Sequence, residues 1–282
     1  MVLVAAAAFL MAMLFLLFKI FDRREVPLLP AIAVNYVTAV IAGLIFAPPW
    51  LANDLSGLWF PAIGLGMFFV INFYFTGLST QRAGVAATTV ASRMSLVLTV
   101  IAAVVLYHET PGLLGWLGIA FAIAGVALAS LVKEPGSLRG AWKLPTVIFL
   151  GNAVIDIGIN WMQRTRLDAT SEAVFPTMTF MSAAVVSVAL ALRREGSIVF
   201  KRTSVWIGGT VLGVVNYAAL VMIVKALSKG GFPASSFYPL MNVGVILIGT
   251  MASMIMFKER LRSMQVIGIG FAIVALVLIL NA

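Results

Sequence analysis

Two stretches of this chain, 150 positions apart, follow one plan. Residues 84–130 read GVAATTVASRMSLVLTVIAAVVLYHETPGLLGWLGIAFAIAGVALAS, and residues 234–280 read ASSFYPLMNVGVILIGTMASMIMFKERLRSMQVIGIGFAIVALVLIL. In this register Glu109 falls on Glu259, Gly118-Ile119 on Gly268-Ile269, and Phe121 on Phe271. Each copy is an apolar span, a short polar corner carrying a Glu, and a second apolar span. A repeat of this length means the fold was built by duplication and must accommodate the unit twice.

The medium follows from the balance of residues. Of 282 residues 62% are hydrophobic and 10% charged, against about 25% charged in soluble domains. Such a chain belongs in a lipid bilayer, where only helices or closed barrels satisfy the backbone. Apolar runs of roughly 20 residues are the length of spanning helices. Ten are expected: 2–21, 30–47, 59–79, 84–106, 112–132, 146–163, 173–192, 205–227, 234–257 and 264–280. The first is read as a spanning helix and not a signal peptide, because it has no basic leading region. The Pro- and Gly-bearing stretch 133–145 divides the chain into a first five-helix repeat, 1–132, and a second, 146–282. Pro30 matches Pro176 at the start of the second helix of each half, and Trp59 and Gly66 match Trp206 and Gly213. Five spans is an odd number, so the second half enters from the opposite side. Inverted repeats of this kind are a construction of secondary transporters, with the site near midplane.

These features resemble the ten-helix EamA-type branch of the drug/metabolite transporter superfamily. The residues that carry the resemblance are the two span–Glu–span units, Gly118 and Gly268 after them, and Ala226-Leu227-Ser228 ending the eighth span. The resemblance implies an all-α integral membrane protein of the cell (inner) membrane, with a central cavity bounded by the first, third and fourth helices of each half. It also implies export of a small polar metabolite such as an amino acid by alternating access. A lipid-linked substrate flippase is the alternative.

Orientation is read from charge. Every Lys and Arg other than Arg93, Arg164, Arg166, Lys225 and Lys229 lies in or beside an odd-numbered loop. The positive-inside rule therefore places those loops in the cytoplasm and both termini outside. The resemblance implies the opposite placement; the count is preferred because neither terminus carries a Lys or Arg to hold it inside. The net charge of +9 thus reports topology and not nucleic-acid binding.

Two charges fall deep inside spans. Counting from the odd-loop side, Arg93 lies about 14 Å and Asp156 about 18 Å in, both near midplane of a bilayer core about 30 Å thick. A charge there costs roughly 2.5–3.5 kcal/mol on insertion scales and usually faces a cavity or a partner. Two readings stand: a static Arg93–Asp156 pair locking the halves, or a cavity in which Arg93 holds a carboxylate and Asp156 an ammonium or a proton. Asn152, Asp156 and Asn160 recur every four residues and share one helix face, a polar stripe that faces something other than lipid. Asn72, Ser92, Ser95, Asn216, Tyr217 and Asn242 fall at comparable depth and complete a polar layer. Pro239 removes a backbone hydrogen bond in the ninth helix and is the candidate gate hinge. Gly64, Gly66, Gly208, Gly209 and Gly213 are read as close-packing positions. Glu109 and Glu259 are read as structural, accepting backbone N–H groups or pairing with basic residues.

The chain has no Cys and one His, His108, so no metal site built on those ligands and no disulfide is expected. No nucleotide-binding or hydrolase signature is present, and neither enzymatic activity nor a cofactor is expected. The implied partners are a small-molecule substrate, the bilayer, and protons if transport is coupled. Two internal repeats make a monomer sufficient.

Overall fold

A computed structural model describes residues 2–130, 143–229, 231–257 and 263–281. Ten α-helices follow one another: α1 (Val2–Arg23), α2 (Leu28–Phe46), α3 (Trp59–Met94), α4 (Leu96–Tyr107), α5 (Leu113–Ser130), α6 (Lys143–Thr165), α7 (Ser171–Glu195), α8 (Thr203–Lys229), α9 (Ala234–Phe257) and α10 (Ser263–Leu280). Short 3-10 turns at Pro49–Leu51 and Ile198–Lys201 precede α3 and α8. No strand occurs among the described residues. Six segments, in α1, α2, α3, α7, α8 and α9, are long and apolar enough to cross a bilayer. The outer faces carry exposed Phe60, Ile71, Val185, Ile207 and Ile255, as lipid contact requires.

The helix set agrees with the apolar pattern, but the boundary between the third and fourth spans moves. Helical backbone runs without a break from Trp59 to Met94, where the sequence places a break near 79–84. Thr88 Oγ1 nevertheless donates to Ser79 Oγ at 2.8 Å. Nine residues along a straight helix would separate those groups by about 13 Å. The chain therefore folds back between them while keeping helical turns, and the fourth crossing comprises the end of α3 together with α4. The break that is present falls at Ser95, two residues past Arg93. There Ser95 Oγ donates to the Ser92 carbonyl at 2.7 Å, a local competitor for backbone bonding. A second shift concerns Pro176, which lies inside α7 and not at its start, because the turn at Asp168–Ser171 begins the helix earlier.

Contacts among α1–α4 and α6–α9 repeat when each helix is exchanged with the one five later. The pairing of α3 with α6 is mirrored by α8 with α1, that of α2 with α8 by α7 with α3, and that of α1 with α9 by α6 with α4. The pairs α2–α7, α4–α9 and α5–α10 map onto themselves. Close approach depends on small residues. A Cβ at Gly209 would come within 2.7 Å of the Ala31 carbonyl, one at Gly213 would strike the Asn35 carbonyl, and one at Gly66 would strike Ser182. Gly208 meets Phe21 at 3.0 Å, whereas Gly64 has open space around it and is not a packing glycine. The connecting stretch 131–142 and the second corner, with Lys258, Glu259 and Arg260, lie outside the described residues.

Candidate functional site

Four helices bring the deep polar side chains together. Arg93, near the end of α3, is 4% exposed. Its Nη1 donates to Asn242 Oδ1 on α9 at 2.6 Å, and its guanidinium stands over the Phe15 ring of α1 at 5.3 Å. Its Nε and Nη2, and the Nδ2 of Asn242, have no hydrogen-bond partner. These are buried donors of the kind that structures rarely leave unmade. Asp156 on α6 is close enough for its charge and that of Arg93 to act on each other. The two form no ion pair within 4.0 Å, so the locked pair is not the arrangement present. The Asp156 carboxylate is half-buried and accepts no hydrogen bond among the described residues.

The rest of the polar layer divides. Asn160 is 2% exposed and accepts from Arg164 Nε at 3.3 Å. Asn152 faces its own helix, donating to the Ile148 carbonyl at 2.8 Å. Ser92 is buried beside Arg93, and Ser95 is 1% exposed with its hydroxyl engaged by the Ser92 carbonyl. Asn216 is drawn away from Arg93: its Nδ2 donates to Asn35 Oδ1 at 3.2 Å, joining α8 to α2. Tyr217 packs against Phe180 with centroids 6.2 Å apart. Asn72 is 6% exposed with Oδ1 unpartnered. It lines a cavity of about 200 Å³ between α3 and α6, with Phe68, Ile71, Leu150 and Val154.

Three contributors were not singled out from sequence. Phe15 sits in an unbroken apolar run, and nothing in that run marks it. Tyr238, fully buried, donates from its hydroxyl to the Asp156 backbone carbonyl at 2.7 Å; its place beside Pro239 was the only signal. Arg164 falls in a loop by sequence. It pairs with Glu109 and stands over the Tyr107 ring at 4.4 Å. Glu109 also accepts from the backbone N–H groups of Ala234 at 3.2 Å and Ser235 at 2.8 Å, the first residues of α9. His108, in the left-handed conformation at φ 51°, ends α4 and turns the chain into that corner. Pro239 lies inside α9, one residue from Tyr238 and three from Asn242.

A helix bundle of this composition, with a buried Arg93 inside it and oily outer faces, is a multi-pass membrane protein. Residues 1–131 match the EamA-like transporter family. An uncharacterized protein of Haemophilus influenzae is 30% identical over 281 residues, which cover 92% of this chain and 91% of that protein. A crystal structure superposes with a TM-score of 0.73 at 16% identity, covering 98% of this chain and 94% of the other; that likeness concerns the fold. The chain belongs to the EamA-like transporter family, within the drug/metabolite transporter superfamily. It is a membrane transporter of that type.

Proposed function

We propose that the protein is a secondary transporter that exports a small metabolite bearing a carboxylate and an ammonium, such as an amino acid. The observation that carries this reading is the half-made bonding of Arg93. One guanidinium edge is tied to Asn242, the Nε–Nη2 edge is buried without a partner, and an unpartnered carboxylate, Asp156, lies within its field. The free edge of a guanidinium matches the two oxygens of a carboxylate in a planar fork. Asn242 Nδ2 adds a third donor. Asp156 then receives the ammonium or, in a coupled cycle, a proton. Residues 1–132 and 146–282 are the two inverted halves, moving about this site to expose it alternately, and one chain in the inner membrane suffices. Substrate movement needs no catalytic group.

The test is a thermal-shift titration of detergent-purified protein with amino acids, organic cations and phospholipid headgroup analogues at two pH values. A ligand that binds only the folded state stabilises it by mass action, by about 2.7 kcal/mol at a hundredfold excess over Kd, and so raises Tm. A zwitterionic amino acid is expected to shift wild type. It should shift Arg93→Lys far less, with Kd weakened about 10- to 100-fold, because Lys keeps the charge but lacks the fork. Equal shifts in both proteins remove Arg93 from the site. The flippase reading draws on the oily cavity at Asn72, which opens between α3 and α6 on the lipid-facing side. Shifts from phospholipid analogues alone would select it.

A further inference from the structure

The start of α9 touches both the candidate site and one rim of the bundle. Its first two N–H groups donate to the Glu109 carboxylate, which belongs to the corner between α4 and α5 in the other half of the chain. Glu109 is 8% exposed in its side chain and is held from the far side by Arg164, at the end of α6. One turn on, Tyr238 grips the backbone of Asp156. Pro239 follows, and having no N–H it leaves the Ser235 carbonyl without its helical partner. Three residues later Asn242 holds Arg93. The first turn of α9 is thus loosened from the rest of its helix at Pro239 and is bonded to other elements at both of its ends.

We propose that Glu109 and Arg164 form a latch that closes off the Arg93–Asp156 site on the side of the even-numbered loops, and that the first turn of α9, hinged at Pro239, is the lever joining the latch to that site. Glu109 is a positioning residue in this scheme: it acts on Asp156 and Arg93 through α9 and does not touch the cargo. Its carboxylate satisfies the positive end of α9 and the guanidinium of Arg164 together, so releasing one loosens the other. Movement of the turn shifts Tyr238 and the Asp156 backbone it holds, while Asn242 beyond the hinge keeps its hold on Arg93, which links the state of the rim to the separation of the two charges. The proposal rests on the transporter reading and adds to it the group that seals one side.

The absence of native Cys allows a direct test. Ser235→Cys reports the rim and Ser92→Cys the depth of Arg93; both serines are buried, at 1% and 3% exposure. Each is placed in the full chain, in oriented vesicles, alone and combined with Glu109→Gln or Arg164→Ala. Labelling by a membrane-impermeant maleimide is timed from the even-loop side. Both latch substitutions are expected to raise the labelling rate at both reporters about tenfold or more, with little change from the opposite side. Unchanged rates at both reporters in proteins that still melt cooperatively would overturn the latch. A rise at Ser235→Cys alone would show fraying of one turn and overturn the lever. Because the assay uses no substrate, a wrong cargo assignment leaves it standing, and a failed latch leaves the cargo assignment standing.

Discussion

At the scale of single residues, the described structure separates polar groups that bond within the scaffold from those left open. Asn216 with Asn35, Ser95 with Ser92, and Asn152 with Ile148 are satisfied pairs, while Arg93, Asn242 and Asp156 retain unused bonding capacity. Spacing along the chain predicts comparable depths for Arg93, Asp156, Ser95, Asn216 and Asn242 and cannot tell the two groups apart. Asp168, in the turn before α7, is a different kind of polar residue. Its Oδ1 accepts from the backbone and hydroxyl of Ser171 and from those of Thr170. These bonds, led by the Ser171 backbone N–H, hold its carboxyl down to about 2. A depressed carboxyl adds stability above its unfolded value near 4 and loses it as pH falls through the folded value. Asp168→Asn should therefore lower Tm at pH 7, and the difference from wild type should shrink between about pH 4 and pH 2. A difference that is constant across that range would mean the turn does not depend on the charge.

At the scale of elements, helix packing turns on which glycines meet backbone. Gly213 faces the Asn35 carbonyl and the Thr38 side chain across the α2–α8 contact, and Gly64 faces open space. Overpacking a close contact costs about 1–3 kcal/mol, while Gly→Ala on an open helix face gains up to about 1 kcal/mol from propensity. Gly213→Val is expected to lower the Tm of the purified protein by several degrees, and Gly64→Ala to leave it unchanged or raise it. The reverse order would mean that the α2–α8 approach is not as close as described. Both residues sit in apolar sequence, and their neighbours across the helix interface distinguish them. The same limit explains α3. Apolar runs show that two crossings exist, but hydrogen bonding in the turn between 79 and 88 continues the helix where polar residues predict a gap.

At the scale of the whole molecule, contacts among α1–α4 and α6–α9 recur when each helix is exchanged with the one five later. The alternating-access cycle proposed above needs two arrangements close in energy, and an internal exchange of this kind is a construction that supplies them. Orientation follows from charge and can be checked without a substrate. Ser197, between α7 and α8, belongs to an odd-numbered loop, and Asn53, between α2 and α3, to an even-numbered one. Ser197→Cys is expected to react with an impermeant maleimide only from the cytoplasmic face, and Asn53→Cys only from the opposite face. The inverse pattern would place the termini in the cytoplasm and reverse the side on which Glu109 closes off the Arg93–Asp156 site.

The sequence by itself determined the solvent, the all-helical class and the family, because each rests on local hydropathy or on similarity along the chain. It also predicts Arg93 and Asp156 at similar depth, since helical rise is a constant. It assigned Glu109 a bonding role, because a carboxylate at a helix corner needs donors. Only the tertiary structure decided which donors those are: the N-terminus of a helix 125 residues away and Arg164. It also decided that Arg93 bonds Asn242 and not Asp156, and that Phe15 and Tyr238 complete the surroundings. Those choices depend on helix rotation and close approach across the two halves, which hydropathy along one helix leaves undetermined because it carries no information on the partner helix.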